Sequence, residues 1–515
     1  MFKAKKGVRL LRKLVAISAI SVLMLTTSVF GDSRPDVSVA VNKLARSLDP
    51  VKHTGNVDVR IYYSIYDTLI RRDFLNPPAE GGASLIPGLA TSWRRVTPKT
   101  IELTLRKNVK CHDGSVFNAD DVLATFDKNR LWGKDAYYSK GRVYFGHLQS
   151  VEKVDDYTVR FNTKVTDLIF EHRLTSYTSF VICDSAWNKN KVEGGDHKKW
   201  MAKASKTFQW KPVGTGPYKF KSYRKNDHIT IEAHDSYWEG KPGAKSIKFR
   251  AVPEVAARIS GLVSGEYDMA VEIPPDQWDL FKQYDDIKLK SIVLDNSHVL
   301  TFNTKILKNK KLRHAMSLAI DRKKLIDSLW KGATYTPKGH QLESFGPMYQ
   351  KGRQGYVYDI EKAKRLVKES GYNGEEISYR LIPNYYLNNI AAAQAIQEMW
   401  RQIGLNVKLE FVESFKKVRA KGAMVYAWSN TYRLPDPSGA LMSTWGPEAA
   451  IQKKYKFFSP PAEFNQLGRD LFAMTDMQAR SAAFGKMLDM FEDEMPMTIL
   501  YNPIVTFAFK ENISW

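Results

Sequence analysis

The chain has 515 residues, of which 43% are hydrophobic and 12% aromatic, and it carries a formal net charge of +23. A single hydrophobic core stops growing well before that length, so two or three domains are expected. The composition excludes extended disorder, and two cysteines exclude a disulfide scaffold.

Residues 1–31 read as a signal peptide. "MFKAKKGVRLLRK" carries Lys3, Lys5, Lys6, Arg9, Arg12 and Lys13 and no acid, and the uncharged "LVAISAISVLMLTTSVF" follows. Val29 and Gly31 then occupy the two positions a signal peptidase reads. The apolar run is slightly short for a membrane span, so cleavage before Asp32 is expected over the rival reading, an uncleaved anchor. No Cys stands there to accept a lipid. Those six cations leave +17 on the rest of the chain. For an exported protein this argues against nucleic acid and for acidic solutes or an anionic membrane face, with a Lys-rich composition bias as the bland alternative.

The later segments alternate between helix and strand. "TIELTLRKNV" and "YTVRFNTKV" alternate like half-buried strands, and "NADDVLATFDKNRL" reads as a helix capped by Asn118. "WNKNKVEGGDHKKWMAKASKTF" reads as a polar surface excursion. In "PEVAARISGLVSGEYDMAVEI" an apolar helical face ends at Gly265 and a strand follows. "LRHAMSLAIDRKKLIDSLW" gives two helical stretches with Asp321 capping the second. "NNIAAAQAIQEMWRQIGLNVKLEFVE" repeats the helix–strand unit with a stop at Gly404. "MVYAWSNTYRLPDP" begins as a strand and breaks at Trp428 into hydrogen-bonding residues and prolines. With no internal repeat, this pattern points to an α/β fold.

Catalytic motifs are missing: there is no HExxH, GxSxG or CxxC. "GTGPYKF" lacks the Lys and Ser/Thr spacing of a phosphate loop. His228 and His234 fall on one face of an expected strand, but two further zinc ligands are not evident. No catalytic residue, metal site or cofactor is assigned, and the chain is not expected to be an enzyme. Cys111 and Cys183 each sit in an apolar-looking strand. Export allows a disulfide between them, and buried free thiols remain the equal alternative.

Seven stretches resemble one family when taken together and in order. They are "SIYDTLIRRD", "LIPGLATSWRRVTPKTIELTLRKNVKCHDGSVFNADDVLATF", "GTGPYKFKSY", "YWEGKPGAKSIKFRAVPEVAARISGLVSGEYDMA", "LRHAMSLAIDRKKLI", "YDIEKAKRLVKESGY" and "IGLNVKLE". The family is that of bacterial extracytoplasmic solute-binding proteins, family 5, of the peptide and nickel type. The resemblance implies a two-lobed periplasmic-binding-protein fold of type II with a hinge and an extra subdomain on the first lobe. It places residues 32–57, 210–297 and 487–515 in the first lobe, 58–209 in the subdomain and 298–486 in the second lobe. The chain would cross between lobes near 296–300 and 495–500. It also implies a monomeric periplasmic component of an ABC importer that captures a peptide or peptide-like solute and delivers it to permease and ATPase subunits. Family members usually carry Phe where Cys111 stands, so a Cys111–Cys183 disulfide would be particular to this branch.

The same resemblance marks the candidate binding residues. The loop after the Trp428 strand is a ligand loop in the family, with Trp-x-x-Asp holding a peptide ammonium; here Thr431 takes the Asp position. Pro383 stands where dipeptide binders carry an Arg for the carboxylate. Arg433 and Asp436 are the nearby groups able to compensate. Trp428, Tyr385, Tyr386 and Tyr432 are candidates for stacking, and Asn384, Ser429, Asn430 and Thr431 for hydrogen bonds. Arg433 suits a carboxylate fork, while Thr54 and Gly55 lie in the family's first cleft loop. The alternatives for the solute are an oligosaccharide or opine-like conjugate, haem, or a nickel chelate. A periplasmic chaperone or hydrolase is the alternative of a different class.

Overall fold

The computed structural model of the chain describes residues 32–75 and 84–514, less the side chain of Asn190; the expected signal peptide lies outside them. The folded body begins at Pro35. Strand β1 (Asp36–Val41) enters a sheet and the chain then leaves it. A ribbon of β2 (Ile70–Arg72) and β3 (Leu85–Pro87) follows. Then comes an antiparallel sheet of β4 (Ala90–Thr97), β5 (Thr100–Leu105), β6 (Leu148–Asp155) and β7 (Thr158–Thr163), ordered β4-β5-β7-β6. The chain returns through β8 (Tyr218–Arg224), β9 (His228–Ala233), β10 (Ser246–Ala251), β11 (Met269–Val271) and β12 (Ile287–Val293). It crosses into a second sheet of β13 (Asn296–Phe302), β14 (Ile377–Leu381), β15 (Val407–Phe411), β16 (Val425–Thr431) and β17 (Met497–Tyr501). It comes back once, as β18 (Ile504–Lys510). The first lobe's sheet runs β12-β18-β11-β1-β10-β9-β8 and the second lobe's β15-β14-β16-β13-β17.

Local chemistry fixes these elements where the sequence suggests. Asn118 accepts the Asp120 N–H (2.7 Å), and Asp121 at the third helical position reaches back to the Asn118 N–H (2.8 Å), a reciprocal capping box. Asp321 accepts the Lys324 N–H and starts the helix Arg322–Trp330. Gly404, at φ +86°, ends the turn after the helix Asn389–Arg401, a conformation only glycine adopts without steric cost. β13 is buried along its whole length between β16 and β17, which is why "NSHVLTF" carries no charged residue.

Several expectations change. Both crossings follow from sheet membership, at residues 294–295 and 502–503. The cuts expected at 57/58, 297/298 and 486/487 fall inside the helix Asn56–Ile65, inside β13 and inside the helix Met477–Glu494. A lobe is bounded by where the chain changes sheet, which the family's layout does not place to the residue. The polar excursion contains the helix His197–Phe208, whose Trp200, Met201, Ala204 and Phe208 are buried in the core shared by the first lobe and the subdomain. His228 and His234 do not share a face. His228 lies in β9 beside Asp227, whereas His234 lies past the strand end with its ring 5.0 Å from that of His112. Neither cysteine is in a strand. Cys111 lies in a turn and Cys183 caps the helix Asp184–Trp187, and the two form a disulfide across 72 residues of sequence.

Closing a loop of that length restricts the unfolded chain by about 2–4 kcal/mol. Replacing both cysteines with alanine is therefore expected to lower the melting temperature by several degrees, and reductant to lower that of the wild type but not of the variant. Equal melting of wild type and variant would mean that the bridge contributes no stability.

Candidate functional site

Strand directions decide which loops share an edge. β14 runs parallel to β15 and β16, so the segments after all three leave the second sheet at one edge. β13 is antiparallel to β16, with Asn296 opposite Thr431, and β17 is antiparallel to β13, with Tyr501 opposite His298. Both crossings therefore emerge at that same edge. In the first lobe, β1 and β11 are parallel, and the end of β11 faces the early part of β18. The segment after Val41 thus emerges beside the crossings too. Loops 382–388, 412–415 and 432–436 face the 42–58 segment across a cleft, as α/β sheets place ligands at the carboxyl ends of strands.

The floor on the second-lobe side is Tyr386, Ser429 and His298. The Ser429 N–H donates to the Tyr386 hydroxyl (3.1 Å), and the Ser429 side chain lies beside the same phenol. Burial pushes the Tyr386 phenol up to about 12, and its ring packs 4.7 Å from that of His298. In the sequence His298 reads as one more residue of a buried strand, with no mark of a site. Trp428 is half-buried and its Nε1–H donates to Thr301 Oγ1 (2.8 Å). Tyr385 is 50% exposed, set edge-on to Tyr386 and to Phe415. It also meets the first lobe, because the Lys43 Nζ lies 5.9 Å from its ring centre. Asn384 is exposed at φ +54° and Thr431 is exposed at the strand end.

Other expected contacts are committed elsewhere. Strand alternation turns Asn430 into the core, where its Nδ2 pairs with His340 Nε2 (2.9 Å). Tyr432 is buried among second-lobe side chains, its ring 5.1 Å from His340 and its hydroxyl accepting from Ser297 (3.1 Å). Neither reaches the cleft, so both are corrected from binding to packing roles. Gly55 directs its N–H at Asp58 Oδ2 (3.2 Å) to cap the helix Asn56–Ile65, and this occupies the donor expected for ligand; Thr54 beside it is half-buried. Asp436 is also removed as a candidate for a solute ammonium: it forms a buried two-pronged pair with Arg480 (2.6 and 3.0 Å).

Cations gather in the cleft. Arg46 holds the fully buried Asp58 (2.6 Å). Partial desolvation, then repulsion from Arg46 and later Arg433, pulls the Lys140 ammonium below its ordinary pKa. First lobe, subdomain and second lobe thus each direct a cation to one region. Arg433 is half-buried, within electrostatic reach of the subdomain's Tyr144 and Tyr177, whose rings lie 5.6 Å apart. Beside this loop a cavity of about 380 Å³ is lined by Arg142, Val143 and Val165 of the subdomain and by Met442 and Phe472 of the second lobe. The sole metal-like cluster among the described residues is Cys111, Asp121 and Cys183, and the disulfide occupies both of its sulfurs.

Two outcomes follow. Replacing Asp436 with alanine leaves Arg480 buried and unpaired, which costs about 3–5 kcal/mol; the variant is expected to melt well below wild type, and an unchanged melt would return Asp436 to the binding role. Burial lowers His112 and His298 to about 3 and His172 and His340 to about 4. An unfolded His takes up its proton near pH 6.5. Between those values the unfolded chain binds more protons, so stability is present above about pH 6.5 and is lost as pH falls toward 3–4. Melting curves from pH 7.5 to 4.5 should show that decline, flattened in His298→Gln; a flat wild-type profile would contradict it.

Comparison with known proteins agrees with this geometry. The model of bacterial extracellular solute-binding proteins, family 5, matches residues 84–451. Heme-binding protein A of Haemophilus influenzae is 30% identical over 437 residues, covering 79% of this chain and 76% of that one. The dipeptide-binding protein of Escherichia coli is 27% identical over 461 residues, 84% of each chain. The DppA periplasmic binding protein of Helicobacter pylori, solved with peptide STSA, superposes with a TM-score of 0.79 at 23% identity, over 93% of this chain and 95% of that one. Two lobes, a cleft at their paired crossings and a family match over most of its length make this chain a member of the bacterial extracellular solute-binding proteins, family 5.

Proposed function

We propose that the protein is exported, loses residues 1–31, and works as a monomer in the periplasm. There it captures a peptide-like solute between its lobes and passes it to the permease and ATPase subunits of an ABC importer. The observation that carries this reading is the shared edge, where both crossings and the loops bearing Tyr385, Tyr386, Trp428 and Ser429 meet the 42–58 segment. Movement about two short crossings closes such a cleft around its ligand.

The solute is not a free dipeptide held by both charged ends. Thr431 offers no charge to an ammonium, and Asp436 is engaged by Arg480. A buried ammonium left unpaired costs about 3–5 kcal/mol, or two to three decades of affinity. An N-blocked peptide or an opine-like conjugate avoids that cost. Haem is the second reading, favoured by the apolar cavity with Arg142 and Arg173 on its lining.

A melting screen of the mature protein, stripped of carried-over ligand by partial unfolding, tests this. A ligand at 100 times its Kd adds about 2.7 kcal/mol. N-acetylated peptides should shift the melt and free dipeptides should not. A strong shift with free dipeptides would show that another acid holds the ammonium. A Soret band with haem and no peptide response would replace the peptide reading.

A further inference from the structure

We infer that Arg419 is the anchor for a carboxylate of the solute, so that the cleft selects an anionic ligand. This rests on the cleft reading above. Arg419 follows the short helix Phe415–Val418 beyond β15. Its guanidinium carbon lies 5.4 Å from the ring centres of Phe415 and Trp428, 5.5 Å from that of Tyr455 and 5.8 Å from that of Tyr426. Two ring contacts carry this cage to the opposite lobe, since Phe415 packs 5.1 Å from Tyr385 and Tyr385 lies under Lys43.

The rings hold the guanidinium by its faces, and the Tyr426 hydroxyl is its one hydrogen-bonding side-chain neighbour, so no carboxylate inside the protein meets its N–H fork. Arg419 Nε is buried without a hydrogen-bond partner, beside the wholly buried Tyr426 hydroxyl. Arg419 makes no ion pair among the described residues, whereas the acids around the cleft are matched: Asp58 by Arg46, Glu410 by Arg380, Asp436 by Arg480. A planar fork oriented by aromatic faces and lacking an internal carboxylate is matched by a bidentate carboxylate from outside.

The test pairs each solute with its uncharged counterpart. Isothermal titration would use N-acetylated di- to tetrapeptides and sugar–amino acid conjugates, each as free acid and as amide, against wild type, Arg419→Gln, Arg419→Lys and, as a control outside the cleft, Arg401→Gln. Wild type should bind the acid of at least one solute roughly 10- to 100-fold more tightly than its amide. Arg419→Gln should erase that ratio by weakening the acid alone, Arg419→Lys should restore part of it, and the exposed Arg401→Gln should leave it. Melting curves without ligand establish that each variant is folded. Peptides that bind equally as acid and amide, or a ratio that survives Arg419→Gln, would overturn the anchor and leave the peptide reading standing. Conjugate acids that bind through Arg419 while no peptide binds would keep the anchor and overturn the peptide reading. A wild type that binds no acidic member overturns the anchor.

Discussion

The molecule depends on one constraint: the chain passes between its two sheets only twice, and both passages lie side by side. β12 leads into β13 through residues 294–295, and β17 leads into β18 through 502–503. The Ser297 hydroxyl ties them, lying 2.6 Å from Asn502 Oδ1. Buried Arg322 fixes β17 from behind, donating to the Ile499 carbonyl (2.7 Å) and Thr498 Oγ1 (2.6 Å). Because β13 and β17 are buried along their lengths, the passages are held at the core ends of two rigid sheets. The freedom left to the lobes is rotation about that pair, and the loops that rotation brings together are those carrying the half-buried aromatic and cationic groups.

Charge pairing then divides the polar residues by role. Asp58, Asp167 and Asp436 are buried and each is matched by a guanidinium, with Arg173 serving Asp167 (2.6 Å). Such pairs are sensitive to loss of one partner and stabilise little beyond well-packed apolar side chains. They secure the walls of the cleft. The groups left over are of the opposite kind: cations such as Arg419 and Arg433 that form no ion pair among the described residues. Buried polar groups are nearly always satisfied, and Arg419 Nε is one at this edge that no described residue completes.

Much of the fold was legible because local chemistry carried it. Asn118, Asp321, Gly265 and Gly404 punctuate elements as their side chains or backbone freedom dictate, and the seven ordered stretches lead to the family that the comparisons establish. The site was legible only in part. The strand ending near Trp428 was legible, but alternation along β16 sends Asn430 into the core, and Tyr432 beyond it follows. Asp436 looked free because its partner Arg480 lies 44 residues later. Arg419 was hidden in "FKKVRAKG", where a run of cations reads as solvated surface until its four rings are brought in from positions up to 36 residues away. The cysteines left two readings open, and three-dimensional proximity chose one.

The most direct measurement is a crystal structure of the mature protein with the solute it retains from expression. The account predicts solute density between the 42–58 segment and loops 382–388, 412–415 and 432–436, in contact with Tyr385, Trp428 and Ser429. Density elsewhere, with this edge closed on itself and empty of solute, would contradict it.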